Sequence, residues 1–272
     1  GQGRWRKAAA RLAFHAIYRS IGALSHLVIE HSPSMRRSLV DGFGIRNDKV
    51  RTVPIGIPPA PVHDPPEPRD ATWWDERLVR EPFFLFFGYL LPRKGLEFLI
   101  DAFARFAASR IPYRLVIAGG TLGYQRDYAE RLLEQARSLE CADRITFTGF
   151  LNEQPLHWLY SRCRAVVLPY AYSISASLPL SFAFQHGKPV LGTRLGGLGD
   201  DVGDGVNGLL VEPRSVTALC QGLMRLARDD RLYDALAAGA ALTRSERSWD
   251  LCARKTLAIY DEALNASRIS DA

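Results

Sequence analysis

Sulfur is scarce in this chain, which has four cysteines and two methionines in 272 residues. Cys141, Cys163, Cys220 and Cys252 lie far apart with no CxxC pair, which excludes a zinc ribbon or a disulfide-stapled scaffold and fits free thiols in a reducing compartment. No run of 18 or more apolar residues occurs, so no segment reads as a membrane span. The start, Gly1-Gln2-Gly3-Arg4, has neither an initiator Met nor the apolar core of a signal peptide, and is expected to be a tag remnant or a cut inside a longer chain. There is no GxxxxGK[ST] phosphate loop, no HExxH, no GxSxG and no carboxylate-rich calcium loop. Gly203-Asp204-Gly205-Val206-Asn207-Gly208 spells GxGxxG but runs into strand-like Leu209-Leu210-Val211 instead of opening a helix, so it reads as a tight turn. Asn265-Ala266-Ser267 spells a glycosylation acceptor with nothing else pointing to secretion.

What is present is ordinary globular material, 47% apolar and 24% charged, long enough for one large or two modest domains. The net charge of +6 is uneven: Arg4, Arg6, Lys7, Arg11 and Arg19 all precede the first acidic residue, Glu30. The remainder is nearly balanced, which argues against nucleic acid as a partner. Residues 5–24 have helical periodicity, with Arg4, Lys7, Arg11, His15 and Arg19 on one face and Ala9, Ala13, Ala16, Ile17 and Ile21 on the other, read as the packing side. The basic stripe has two readings, a solvated face or a contact with anionic lipid.

Strands are expected at 26–29 and 49–53, with a helix at 35–40 between them. Residues 54–82 carry eight prolines and read as an extended connection at a domain boundary. Beyond it, strands at 83–87, 113–118, 144–147, 165–168, 189–191 and 208–211 alternate with helices at 96–108, 126–139, 154–162 and 178–186, and helices run to the C-terminus. Apolar strands alternating with amphipathic helices predict a doubly wound α/β fold with a parallel sheet covered on both faces. Ligands of such sheets bind at the carboxyl ends of strands, where Gly88, Gly119-Gly120, Gly149, the 169–177 segment and the Gly196-Gly197 loop fall.

The order of these turns resembles the C-terminal domain of glycosyltransferase family 4, enzymes of GT-B fold that transfer sugar from a nucleotide donor with retention. The residues that carry the resemblance are Gly88-Tyr89-Leu90-Leu91-Pro92-Arg93-Lys94-Gly95, the strand ending at Gly119-Gly120, Thr148-Gly149-Phe150, Gly187-Lys188-Pro189-Val190, Gly196-Gly197 and 204–211. Upstream, 28–32, Phe43-Gly44-Ile45 and 53–57 are similar to the last turn of that family's N-terminal domain. The resemblance implies four segments: 1–57 as the end of an acceptor-side α/β domain, 58–80 as linker, 81–248 as the nucleotide-sugar domain and 249–272 as a C-terminal helix. It also implies that most of the acceptor-side domain is missing and that the fragment alone is inactive.

For the site, the resemblance implies that Gly88, Lys94 and Arg93 hold the donor diphosphate and that Gly119, Gly120, Gly149, Phe150, Gly196 and Gly197 form the nucleotide-side loops. The family often has two glutamates with seven residues between them before the GxPV strand; here those positions are Ile174 and Phe182, and the arginine after the first glycine is Tyr89. Ser173, Ser175 and Ser177, ahead of a helix, can cap it or bind an anion in their place. His186 reads as a cationic helix-end cap and His31 as a loop or core histidine. No catalytic residue is assigned. The expected function is retaining transfer from a nucleotide-sugar donor to a glycan or lipid-linked acceptor, with no metal and no cofactor, in the cytoplasm or against the inner membrane face. The alternative is a non-catalytic binding module of the same fold that has lost its donor chemistry.

Overall fold

The computed structural model describes the backbone of residues 2–62, 65–174 and 176–270 and, within these, the side chains from 12 to 265. Gly1 and the side chains of Arg4, Arg6, Lys7, Ala9, Arg11 and Ser267 thus lie outside the described residues. Contacts divide the chain into two units, Gly1–Gly56 with Arg247–Ala272, and Ile57–Glu246.

In the first unit, α1 (Gln2–Leu24) leads to β1 (Val28–Glu30), then α2 (Pro33–Arg37) with a π-helical turn at Ser38–Gly42, then β2 (Val50–Thr52). Ser32 caps α2 by accepting from the Met35 N–H, and Pro33 at the first turn has no N–H to leave unpaired. β1 and β2 pair in parallel, Val28 opposite Val50. The side of α1 expected to pack is exposed instead, Ala13, Ala16, Ile17 and Ile21 included. Tyr18 stacks on Phe43 at 4.3 Å between ring centroids, His15 meets the same ring edge-on at 5.3 Å, and Gly22 lies against Ile45. An aromatic ring buries more apolar area than several alanines, which is why the contact centres on Phe43.

The second unit begins with the proline-rich stretch and α3 (Arg77–Arg80). It continues with β3 (Phe83–Phe87), α4 (Leu96–Ala107), β4 (Arg114–Ala118), α5 (Arg126–Arg137), β5 (Ile145–Gly149), α6 (Glu153–Arg162) and β6 (Ala165–Leu168). Then come α7 (Leu178–Gln185), β7 (Val190–Thr193), α8 (Gly196–Asp201), β8 (Gly208–Val211), α9 (Val216–Arg228) and α10 (Asp230–Glu246). The strands form one parallel sheet in the order β5-β4-β3-β6-β7-β8. β3, β4 and β6 are apolar and buried almost throughout, as strands covered on both faces must be. α4 turns Leu96, Leu99, Ile100, Phe103, Phe106 and Ala107 into the core at helical spacing.

Three differences from the sequence reading have physical causes. Residues 58–80 are fastened to the second unit: Trp74 packs on Trp158 at 5.0 Å, Leu78 is buried, and Pro59 accepts a hydrogen bond from Gln185 Nε2 at 3.0 Å. At the amino-terminal end of the sheet, buried Arg114 donates to Asp75 at 3.1 Å and to Glu81 at 3.4 Å, holding the same stretch. Gly196-Gly197-Leu198-Gly199 is the start of a short helix, because burial of Leu198 and the Gly197 N–H bond to the Ile174 carbonyl (2.8 Å) outweigh poor helix propensity. The C-terminal helix α11 (Trp249–Ser270) groups with the first unit, where the Trp249 indole N–H donates to the Gly56 carbonyl and Arg51 pairs with Glu262. The GxGxxG spelling is a turn, closed by Gly205 N–H to the Gly208 carbonyl and by Gly203 N–H to Asn207 Oδ1. Among the described residues, no helix is long and apolar enough to cross a membrane.

Candidate functional site

Because every strand of the large sheet is parallel, all carboxyl ends open on one edge, and the winding reverses between β3 and β6. That reversal parts the crossover helices and leaves a crevice, the usual ligand position of such sheets. Register delivers the residues to it. Phe87 lies opposite Ala118, and a bulge at Ile117/Ala118 sets Ala118 opposite Gly149, so Gly88, Gly119 and Phe150 emerge side by side.

A pocket of about 250 Å³ forms there. Gly88, Tyr89, Arg93, Lys94, Gly119, Gly120 and Phe150 line it with Phe87, Leu91, Leu151, Leu178 and Pro179, so among the described residues its charged walls are Arg93 and Lys94. Gly119 has φ +152° and a Cβ there would overlap the Gly88 carbonyl oxygen; Gly95, at φ +65°, leaves no room for a Cβ beside the Pro169 carbonyl. The Gly119 approach joins the ends of β3 and β4, and the Gly95 approach pins the turn carrying Lys94, a 3-10 segment at Pro92–Lys94, onto the end of β6. Ala171 N–H closes the junction by donating to the Arg93 carbonyl at 2.9 Å.

The Lys94 ammonium sits 3.9 Å above the centre of the Tyr170 ring. Among the described residues no carboxylate pairs with it. Burial, and secondarily the neighbouring Arg93 cation, bring its pKa down to about 8. Such a group is a ready partner for an anion, because an incoming negative charge relieves both penalties. Phe150, 72% exposed, and Tyr89, 47% exposed, offer flat apolar faces at the rim.

The other predicted residues fall beside this pocket and do not line it. Ser177 is buried and caps α7, accepting from the Leu180 N–H at 3.4 Å and sharing a hydrogen bond with the Tyr170 hydroxyl at 3.0 Å. That geometry is capping, with the hydroxyl turned inward. Ser173 is exposed and lies against Gly196, Gly197 binds the Ile174 carbonyl, and Ser175 lies outside the described residues. Gly149, at φ +71°, is exposed and touches the site through its carbonyl, which accepts from the Gly119 N–H. Ile174 packs on the core, and Phe182 packs on Phe87, Tyr160 and His157 at ring distances of 6.2, 5.8 and 5.9 Å, so both positions are apolar in fact as well as in spelling.

His186 is not a cationic cap. Burial, then the His157 ring 2.8 Å away, hold its pKa down to about 4, and the helix end is answered by Arg244, which donates to the Gln185 carbonyl at 2.8 Å. His31 is an exposed loop residue in the first unit, its Nδ1 3.0 Å from the Val53 carbonyl. Tyr170 is the site residue that sequence reasoning passes over. The available signal is a tyrosine directly after a strand-ending proline on the strand beside the reversal, where a side chain is held between two loops.

The family model described as glycosyl transferases group 1 matches residues 74–242, more than half of the chain. An uncharacterized glycosyltransferase of Methanocaldococcus jannaschii is 30% identical over 87% of this chain and 60% of its own length. A D-inositol 3-phosphate glycosyltransferase of Acidothermus cellulolyticus is 31% identical over 85% of this chain and 52% of its own. The chain thus spans between half and two thirds of the length of these relatives. Among solved structures, Anabaena HepE in complex with UDP and glucose superposes with a TM-score of 0.75 at 22% identity, over 87% of this chain and 63% of that one. The architecture is of the GT-B type.

Proposed function

The chain belongs to the glycosyl transferases group 1 family, and from that membership we propose that the crevice between β3 and β6 holds the diphosphate and base of a nucleotide-sugar donor, for a retaining transfer of the family 4 kind. The observation that carries this reading is Lys94, a half-buried ammonium without a carboxylate partner among the described residues, set beside glycine turns that let a ligand approach the backbone. As the bond from sugar to diphosphate breaks, negative charge grows on the leaving phosphate. Lys94, with Arg93 beside it, stabilises that charge in a setting of low polarity. The exposed faces of Phe150 and Tyr89 suit stacking with a base. The nucleotide sugar is a substrate, and the mechanism calls on no metal or cofactor.

UDP is the natural first probe, since HepE was solved with it. For the acceptor we infer a hydroxyl of a glycan or lipid-linked glycan. The name of the Acidothermus relative, D-inositol 3-phosphate glycosyltransferase, supports a polyhydroxylated acceptor. A second reading, a binding module without donor chemistry, is favoured by the apolar packing of Ile174 and Phe182 where family members often place glutamates. A thermal-shift titration with UDP, GDP and ADP separates the two. A nucleotide at a hundred times its Kd stabilises the native state by about 2.7 kcal/mol, a rise of several degrees. No shift with any of the three at millimolar concentration would hand the site to the second reading. In the same preparation residues 1–272 are expected to bind donor without transferring sugar. Catalysis needs both substrates positioned, a term of roughly 7–11 kcal/mol, and the chain spans only part of its relatives. Sugar transfer by this chain alone would overturn that expectation.

We also infer a cytoplasmic protein that meets the inner membrane face through α1. Five basic residues with no acidic neighbour support it, as do exposed Leu12, Phe14, Ile17 and Ile21, which add apolar area that alanines lack. Co-sedimentation with vesicles containing anionic lipid is expected at low salt and should be lost at about 0.5 M salt. Equal binding to neutral and anionic vesicles would leave the stripe as a solvated face.

A further inference from the structure

Lys94 owes its place to another side chain. Tyr170 is fully buried, its hydroxyl 3.0 Å from Ser177 Oγ, and its carbonyl accepts from Thr193 Oγ1 at 2.8 Å. Its ring is therefore anchored at the hydroxyl end to the cap of α7 and at the backbone to β7, and the free face carries the Lys94 ammonium. Burial brings the phenol up to about 12, so at neutral pH it is a ring and a hydrogen-bonding hydroxyl, never a phenolate or a proton shuttle.

A lysine side chain has four rotatable carbons and a strongly hydrated head, and it leaves a half-buried site for water unless something holds it. In this pocket the described residues offer it no carboxylate, and Arg93 repels it. The electron-rich face of an aromatic ring is the remaining attraction, and it fixes the ammonium without neutralising it.

We propose that Tyr170 is the positioning residue for Lys94: its ring face seats the ammonium at the crevice, and its hydroxyl, tied to the Ser177 cap, locks the ring to helix α7. Seat and helix start thereby move together, so an anion held by Lys94 meets a lysine whose position is already fixed. The proposal rests on the donor-site reading only for what the lysine is positioned to hold.

The test uses the whole chain with two readouts. In the first, UDP affinity is measured by calorimetry for wild type, Tyr170→Phe and Tyr170→Leu, each with Lys94 present and with Lys94→Met. Tyr170→Phe keeps the ring and should stay within about threefold of wild type, whereas Tyr170→Leu should weaken binding about tenfold. In the Lys94→Met background both Tyr170 changes should have less than about a twofold effect, because the residue they act through is gone. In the second, the protein carries 13C at the lysine ε-carbons, and its five lysines make the spectrum assignable by single replacements. The Lys94 signal should be displaced upfield by the ring beneath it, remain so in Tyr170→Phe and move to the ordinary lysine position in Tyr170→Leu. An unmoved Lys94 signal in Tyr170→Leu overturns the seat. So does a tenfold loss that persists in the Lys94→Met background, which would show Tyr170 acting on the fold alone. A ring-shifted Lys94 in a wild-type protein that binds none of UDP, GDP and ADP sinks the donor reading and leaves the seat standing.

Discussion

Lys94→Met is expected to weaken UDP binding by roughly 10- to 100-fold, the cost of removing a charge-assisted hydrogen bond from a half-buried site. Methionine matches the stem, so the pocket wall survives and the change reports the charge. The pH dependence gives a second check, and its sign follows from the lysine's lowered pKa of about 8 in the free protein. Bound phosphate favours the cation and so raises the pKa in the complex. Below pH 8 the lysine is already protonated and binding takes up no proton. Above pH 8 each binding event must take one up, so affinity falls as pH rises, approaching tenfold per unit. Calorimetry between pH 7 and 9 should show that decline in wild type and a flat profile in Lys94→Met. If the variant binds UDP as tightly as wild type, Lys94 is not the phosphate ligand, and Arg93 becomes the residue to replace.

The largest effect on stability is expected at Arg114. Its side chain is 2% exposed and bridges Asp75, Glu81 and the Asp143 carbonyl, fastening the 75–81 stretch and the turn before β5 to the start of β4. Arg114→Ala removes these bonds and leaves a cavity the size of most of an arginine. By comparison with other buried ion pairs deprived of one partner, the loss should be about 3–5 kcal/mol. For a unit of this size that is a fall in melting temperature on the order of 10 °C. Arg114→Met fills most of the volume, and Asp75 and Glu81, 22% and 34% exposed, can turn to water. It should therefore recover more than half of the loss. Equal melting temperatures for Arg114→Ala and wild type would show that the clasp contributes nothing. Nucleotide affinity should be unchanged in Arg114→Met, because Arg114 stands at the amino-terminal end of the sheet and the pocket at the carboxyl end.

Much of this protein is legible in its sequence for simple reasons. Fully buried parallel strands must be apolar along their whole length, so Phe83–Phe87, Ala165–Leu168 and Gly208–Val211 announce themselves to the residue. Helix α4 shows its buried face by spacing alone. Since parallel strands share one carboxyl edge, the glycines and basic residues that follow β3 and β4 could be expected to converge without any knowledge of strand order. The pocket does gather Gly88, Arg93, Lys94, Gly119, Gly120 and Phe150.

Other features depend on partners distant in sequence, which no local pattern encodes. The packing face of α1 differs from the one its alanine periodicity predicts, because Tyr18 and His15 pack on the Phe43 ring. Prolines at 54–82 mark an extended connection, yet they say nothing about the short helix α3 near its end, about Trp74 meeting Trp158 or about Asp75 meeting Arg114. Ser177 reads equally well as cap or anion ligand until burial and the Tyr170 hydroxyl turn it inward. A histidine at a helix end looks cationic until the fold buries it against a second histidine, which makes the neutral ring the cheaper state. The sequence by itself determined the class of fold, the edge of the sheet where the pocket opens and the presence of Lys94 in its wall. Tertiary structure alone decided that this cation rests on the ring of Tyr170, because a cation–π contact needs two loops from different strands brought within 4 Å, and that proximity is a property of the assembled sheet.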